Sequence, residues 1–209
     1  MLLEKKGHIS RDLDIIVHYV NKKELIEELG RYDCRQNRFG GFSVQISDWK
    51  ADVWTLDSTW AFRNNLVRHN GGFSDYTKTT FLNIEAVAVE MFTKKGQRRA
   101  IFSNGFFESL IDRMLEINLE KNPDTEINIA RAICMGLRYK FAFGPNLRQY
   151  IVERSDRMDR DRLLTILRDH YRMKQCDKAY LAAVMDKIKQ GVYFVEYETG
   201  LRETQRSLF

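Results

Sequence analysis

The 209-residue chain is 44% hydrophobic and 30% charged, the balance of a water-soluble globular protein long enough to bury a sizeable core. Its formal charge of +5 is a mild excess that leans towards a polyanionic partner. Two prolines, no low-complexity tract and no run near the ~20 apolar residues of a bilayer span exclude a disordered linker and a membrane protein. Three scattered cysteines give no disulfide or zinc framework and point to a reducing, cytoplasmic setting.

In chain order, LDIIVHYV predicts a first strand and KKELIEEL, Lys22 to Leu29, a helix with Leu25, Ile26 and Leu29 on one side. FGGFSVQIS and ADVWTLDSTWAF, separated by a short polar turn, predict an antiparallel hairpin, with Gly40 and Gly41 marking a turn or bulge before it. RNNLVRHNGGFSDYTK reads as a loop, FLNIEAVAVEMF as a helix or buried strand, and KKGQRRAIF as a turn with a short strand. The second half changes character. GFFESLIDRMLEINL, IARAICMGLRYKF, RLLTILRDHYRM and AYLAAVMDKIKQGVYFV all space apolar residues as helices do. The expected class is therefore α+β, with a mixed-sheet head over residues 1–105 and a helical neck or C-terminal domain over 106–209.

The first strand carries the main chemical signal. Asp12 and Asp14 stand at alternate positions, so they share a face and repel each other unless a cation or proton intervenes. A solvated strand entrance would also tolerate them. Asp52, within ADVWTL, is a third carboxylate embedded mid-strand among apolar residues, where an unpaired charge is expensive. Hard dications such as Mg²⁺ take oxygen ligands, and three carboxylates on neighbouring strands allow two ions to act on one displacement.

DLDIIV together with KADVWTL resembles the catalytic core of the DNA polymerase beta-type nucleotidyltransferases. Ala130 to Ile151, ARAICMGLRYKFAFGPNLRQYI, is similar to the neck of the bacterial tRNA nucleotidyltransferase and poly(A) polymerase branch, and FLNIEAVAVEM sits where that family closes its head. The resemblance spans about residues 1–155. It implies a nucleotidyltransferase-like mixed-sheet head followed by an all-helical neck. It also implies that Asp12, Asp14 and Asp52 bind two Mg²⁺ ions, with Asp52 helping to deprotonate the acceptor hydroxyl. A nucleoside triphosphate, ATP among them, is then the donor. Arg131 and Arg138 fall where the family places nucleotide-contacting or structural arginines. Two departures stand out: MLLEKKGHISR before Asp12 lacks the family's Gly-Gly or Gly-Ser turn, and Thr80 and Phe81 replace its Arg-Asp pair, with Glu85 in place of an Asn.

LDSTWAFRNN is a candidate rim for such a site, with Trp60 and Phe62 able to stack on a base and Arg63 able to meet phosphate; the alternative is that Trp54, Trp60 and Phe62 complete the hairpin core, which is the better expectation for Trp54 and Phe62. Lys94, Lys95, Arg98 and Arg99 form a basic turn that suits RNA or plain solvation. The expected function is a metal-dependent nucleotidyltransferase that moves a nucleotidyl group from an NTP to a hydroxyl, with an RNA 3′ end as one acceptor and no membrane partner. The alternative is a non-catalytic RNA- or protein-binding module descended from that fold. The chain is too short for the long tRNA-holding body of a full CCA-adding enzyme, so that activity is not expected from it.

Overall fold

The computed structural model describes residues 12–191 apart from Tyr19, Arg38, Ser47, Asp48, Lys94 and Asp156, and for Asp12 it describes the backbone only. Two compact units divide between Tyr76 and Thr77.

The first unit is built on a four-stranded mixed sheet. Its strands are β1 (Asp12–Val17), β2 (Asp33–Gln36), β3 (Phe42–Ile46) and β4 (Trp49–Thr55), in the order β1-β4-β3-β2. β1 runs parallel to β4, while β4, β3 and β2 form an antiparallel meander. The parallel pairing needs a long crossover, and α1 (Lys22–Leu29) lies within it. Asn21 starts α1 through a capping box. Its Oδ1 accepts from the Lys23 and Glu24 amides at 3.0 Å, and the Glu24 carboxylate accepts from the Asn21 amide at 3.2 Å. One face of the sheet meets Leu25 of α1: Phe42, Val44, Ala51 and Val53 are buried with it, and Leu13, Ile15 and Val17 pack against them. Strand alternation therefore turns Asp14, Ser43 and Asp52 to the opposite face.

After β4 the chain makes a 3₁₀ turn over Leu56–Ser58 and two single-turn helices, α2 (Trp60–Arg63) and α3 (Phe73–Tyr76). The sequence expectation of one β-rich run through Phe62 thus ends at Thr55, and the expected loop gains α3 at its end.

The second unit opens with 3₁₀ turns at Thr77–Thr79 and Asn83–Glu85 and a two-stranded antiparallel hairpin, β5 (Val87–Val89) and β6 (Ile101–Ser103). The helices α4 (Phe106–Asp112), α5 (Thr125–Tyr139), α6 (Pro145–Ser155), α7 (Arg160–Thr165) and α8 (Lys178–Gln190) follow, and α7 runs into a π-helical turn at Ile166–His170. Two short strands, β7 (Met114–Leu115) and β8 (Ala142–Phe143), pair in parallel between them. Residues 77–105 pack within this unit: Leu82 bridges to Ile117, and the Asn83 side chain donates to the Met114 carbonyl at 3.2 Å. The core includes Phe81, Leu115, Ile133, Leu147, Leu163 and Ile188, all fully buried. Among the described residues no helix is long and apolar enough to cross a membrane.

Candidate active site

The polar face of the four-stranded sheet is set by register. Asp14 on β1 is the direct partner of Asp52 on β4, which faces Ser43 on β3, which faces Arg35 on β2. Two residues back along β1, the Asp12 backbone pairs with Lys50; the Asp12 side chain lies outside the described set. Neighbouring strands run about 4.8 Å apart, so carboxylates at partnered positions on one face are close enough to share a cation. Asp14 is exposed, and the Asp52 side chain keeps 24% of its surface accessible, so water, metal or phosphate can reach both.

Lys50 already supplies a positive charge here. Its Nζ is 3.9 Å from Asp52 Oδ2, a loose contact on a half-exposed side chain. Alternation from Asp52 back to Lys50 makes this pairing readable from KADVWTL, although the motif reading singles out the aspartate alone. Among the described residues no cluster of three His, Cys, Asp or Glu side chains forms. The described donors, Asp14 and Asp52, are nonetheless hard oxygens, accessible and already drawing a cation, which fits Mg²⁺.

Trp54 lies on the same face, half-buried, and its ring covers Gly41 so closely that a Cβ there would sit 2.5 Å from Trp54 Cε3. The approach to Gly41 is fixed by Asn37, whose Oδ1 accepts from the Phe39 and Gly41 amides at 3.0 Å each, and by Gly40 at φ +92°. The two glycines expected to mark a turn thus do so, and Gly41 also seats the tryptophan beside Asp52.

The sequence-predicted rim residues are placed as follows. Phe62 is buried and stacks on His69 with ring centroids 4.3 Å apart, so it belongs to the interior of this unit. Trp60 is half-buried on the same turn of helix. Arg63 is exposed, and its Nη1 donates to the Phe39 carbonyl at 3.4 Å, tying α2 to the β2–β3 turn.

Arg131 and Arg138 lie on α5 of the second unit. Arg131 ion-pairs with Glu85 at 3.1 Å, and its Nε donates to the Tyr171 hydroxyl at 3.3 Å. The Glu85 charge holds the Arg131 guanidinium protonated well above its ordinary range, while burial pushes the Tyr171 phenol up. Arg138 is exposed and donates to the Tyr171 carbonyl at 3.5 Å. Both arginines therefore bind the segment after the π-helical turn to α5. Nothing near Tyr171 in sequence announces that role, because its partners are about forty residues away.

With a parallel strand pair presenting partnered aspartates, an antiparallel hairpin and a helical second unit, the architecture can be compared with known proteins. The fold is nucleotidyltransferase-like. A tRNA nucleotidyltransferase solved with a primer tRNA and an incoming ATP analogue superposes with a TM-score of 0.58 at 18% identity, over 97% of this chain and 59% of that one. A CCA-adding enzyme solved with CTP gives 0.56 at 17% identity, over 88% and 43%. The Thermotoga maritima CCA-adding enzyme in complex with tRNA gives 0.53 at 17%, over 80% and 42%. The chain spans about half the length of the solved structures it matches. No family model and no curated protein matches this sequence.

Proposed function

We propose that this chain is a metal-dependent nucleotidyltransferase, moving a nucleotidyl group from a nucleoside triphosphate to a hydroxyl acceptor, with an RNA 3′ end as the preferred acceptor class. The observation that carries the reading is the in-register pairing of Asp14 with Asp52 on the polar face of a mixed sheet in this fold. The formal charge of +5 supports the choice of RNA, as do solved neighbours whose complexes contain tRNA and nucleotides. In this reading the head extends to about residue 105, with the neck after it.

Asp12, Asp14 and Asp52 would hold two Mg²⁺ ions, which when bound supply charge neutralisation at the phosphoryl oxygens and acidify the attacking hydroxyl. Asp52 accepts the acceptor's proton as the new oxygen–phosphorus bond forms and the bond to pyrophosphate breaks. Lys50, beside Asp52, helps to orient that carboxylate when no ion is present, and its half-exposed stem lets the ammonium swing to a phosphate. Trp54 holds the β4 side of the site in place through its packing on Gly41.

Calorimetric titration of Mg²⁺ with a non-hydrolysable NTP tests the reading. The native chain binds, and the Asp14→Asn/Asp52→Asn variant, which keeps shape and removes two charges, loses the signal. Absence of binding in the native chain favours the non-catalytic binding module instead.

A further inference from the structure

The β5–β6 hairpin of the second unit carries chemistry that the proposed site does not use. Its register, Val87 with Ser103 and Val89 with Ile101, continues past the strands. The Glu90 amide donates to the Ala100 carbonyl at 2.9 Å, and Thr93 Oγ1 donates to the Gln97 carbonyl at 3.3 Å. Between these two links the segment carries Met91, Phe92, Arg98 and Arg99, with Lys95 and Gly96, at φ +86°, in the closing turn.

Exposed apolar surface gathers here to an unusual degree. Phe92 is 83% exposed, and Val89, Met91 and Ile101 are each about half exposed. Lys95, Arg98 and Arg99 are exposed too, and none makes an ion pair with another described residue. The single acid of the hairpin, Glu90, is held on its backbone: the carboxylate accepts from the Ala100 amide at 3.0 Å. From residue 87 to residue 101 the sequence holds four cations against that one carboxylate. A closely spaced set of exposed cations beside an exposed aromatic ring matches single-stranded nucleic acid, whose phosphates meet the cations while a base stacks on the ring.

We propose that this hairpin is the docking element for the single-stranded part of an RNA. Arg98, Arg99 and Lys95 contact the phosphates, and Phe92 stacks on a base. Choosing RNA over DNA rests on the acceptor assigned under the proposed function; the placement on the hairpin rests on its own exposure and charge. A protein partner would have to bring acidic groups to the same spot, and a second copy of this chain would set cations against cations.

The test is fluorescence anisotropy of the full chain with a labelled mixed-sequence single-stranded RNA of twenty nucleotides, at several salt concentrations. Lys95→Gln/Arg98→Gln/Arg99→Gln is expected to weaken binding at least tenfold and to flatten the log K against log salt slope by about 2, at ~0.7 for each phosphate left unneutralised. Phe92→Ala is expected to weaken it about tenfold with the slope unchanged, as removal of a stacking ring does. Lys22→Gln/Lys23→Gln/Arg31→Gln removes equal charge from α1 and the turn after it and should leave affinity within twofold. Equal losses in the two triple variants, or no loss in either hairpin variant, overturn the proposal. So does a dimer in sedimentation that Phe92→Ala dissociates without changing RNA affinity. The hairpin variants should still bind Mg²⁺ with NTP, and Asp14→Asn/Asp52→Asn should still bind RNA. Failure of the docking surface and failure of the nucleotidyltransferase reading are thereby read separately.

Discussion

Gly41 has no side chain because Trp54 occupies the place where one would go. The same substitution that looks mildest, Gly41→Ala, forces a methyl to 2.5 Å from Trp54 Cε3 and to 3.1 Å from both the Val53 carbonyl and Asn37 Nδ2. Overpacking of this kind costs about 1–3 kcal/mol. The ring is the side that yields, and Trp54 is two residues from Asp52 on the same strand face. Gly41→Ala should therefore lower the urea midpoint, shift tryptophan emission, and weaken Mg²⁺-dependent NTP binding while leaving RNA affinity unchanged. An unchanged midpoint would mean that the ring does not press on Gly41 in solution. Lys50 shows how much of the site was legible at this scale. Strand alternation alone places it with Asp52, and the same rule brings Asp14 to that face. The partners of Arg131 were beyond such reasoning, since Glu85 and Tyr171 reach it only through tertiary packing.

Elements whose starts and stops are local were readable, and those set by distant groups were not. KKELIEEL became α1 with the same ends because Asn21 and Glu24 cap it from within its own neighbourhood. GFFESLIDRMLEINL, read as one helix, stops at Asp112, where Arg113 turns left-handed at φ +49° and frees Met114 and Leu115 to pair with Ala142 and Phe143. The start of α6 is the clearest case of distant control. Its first turn has no side-chain cap of its own; instead Glu116 Oε1 accepts from the Leu147 amide at 2.7 Å and Oε2 from the Asn146 amide at 3.1 Å. A carboxylate at a helix N-terminus also meets the positive end of the backbone dipole. Glu116→Ala should cost about 2 kcal/mol, the upper end for a missing cap, and should speed amide exchange at Asn146 and Leu147 ahead of the rest of α6. Glu116→Gln, which keeps one acceptor oxygen, should recover part of both effects. Equal exchange rates in all three proteins would show that α6 needs no external cap.

Raised buried acids make stability fall in alkali, and the chain carries its own reporters for each unit. Trp49, Trp54 and Trp60 are the three tryptophans, and all lie in the first unit. The long helices, α5, α6 and α8, lie in the second, so helical ellipticity follows that unit. Burial pushes the thiols of Cys134 and Cys176 above their ordinary 9.0, and the Tyr171 phenol above its 10.0; all three belong to the second unit. In the first unit the Cys34 thiol is raised as well, by burial and then by the Asp33 charge. An acid whose folded pKa is raised gives up its proton first in the unfolded chain. Its contribution is therefore complete below the unfolded value, near 9.0 for a thiol, and is lost as pH rises towards the folded value. The two thiols and the phenol of the second unit each add to such a loss there. Between about pH 8 and pH 10, the window around those unfolded values, the urea midpoint read by ellipticity should fall, and Cys134→Ala should reduce that fall while leaving the midpoint read by tryptophan fluorescence at its native pH dependence. Coincident transitions at every pH would mean that the units unfold together, so that the buried acids of one draw down the stability of both.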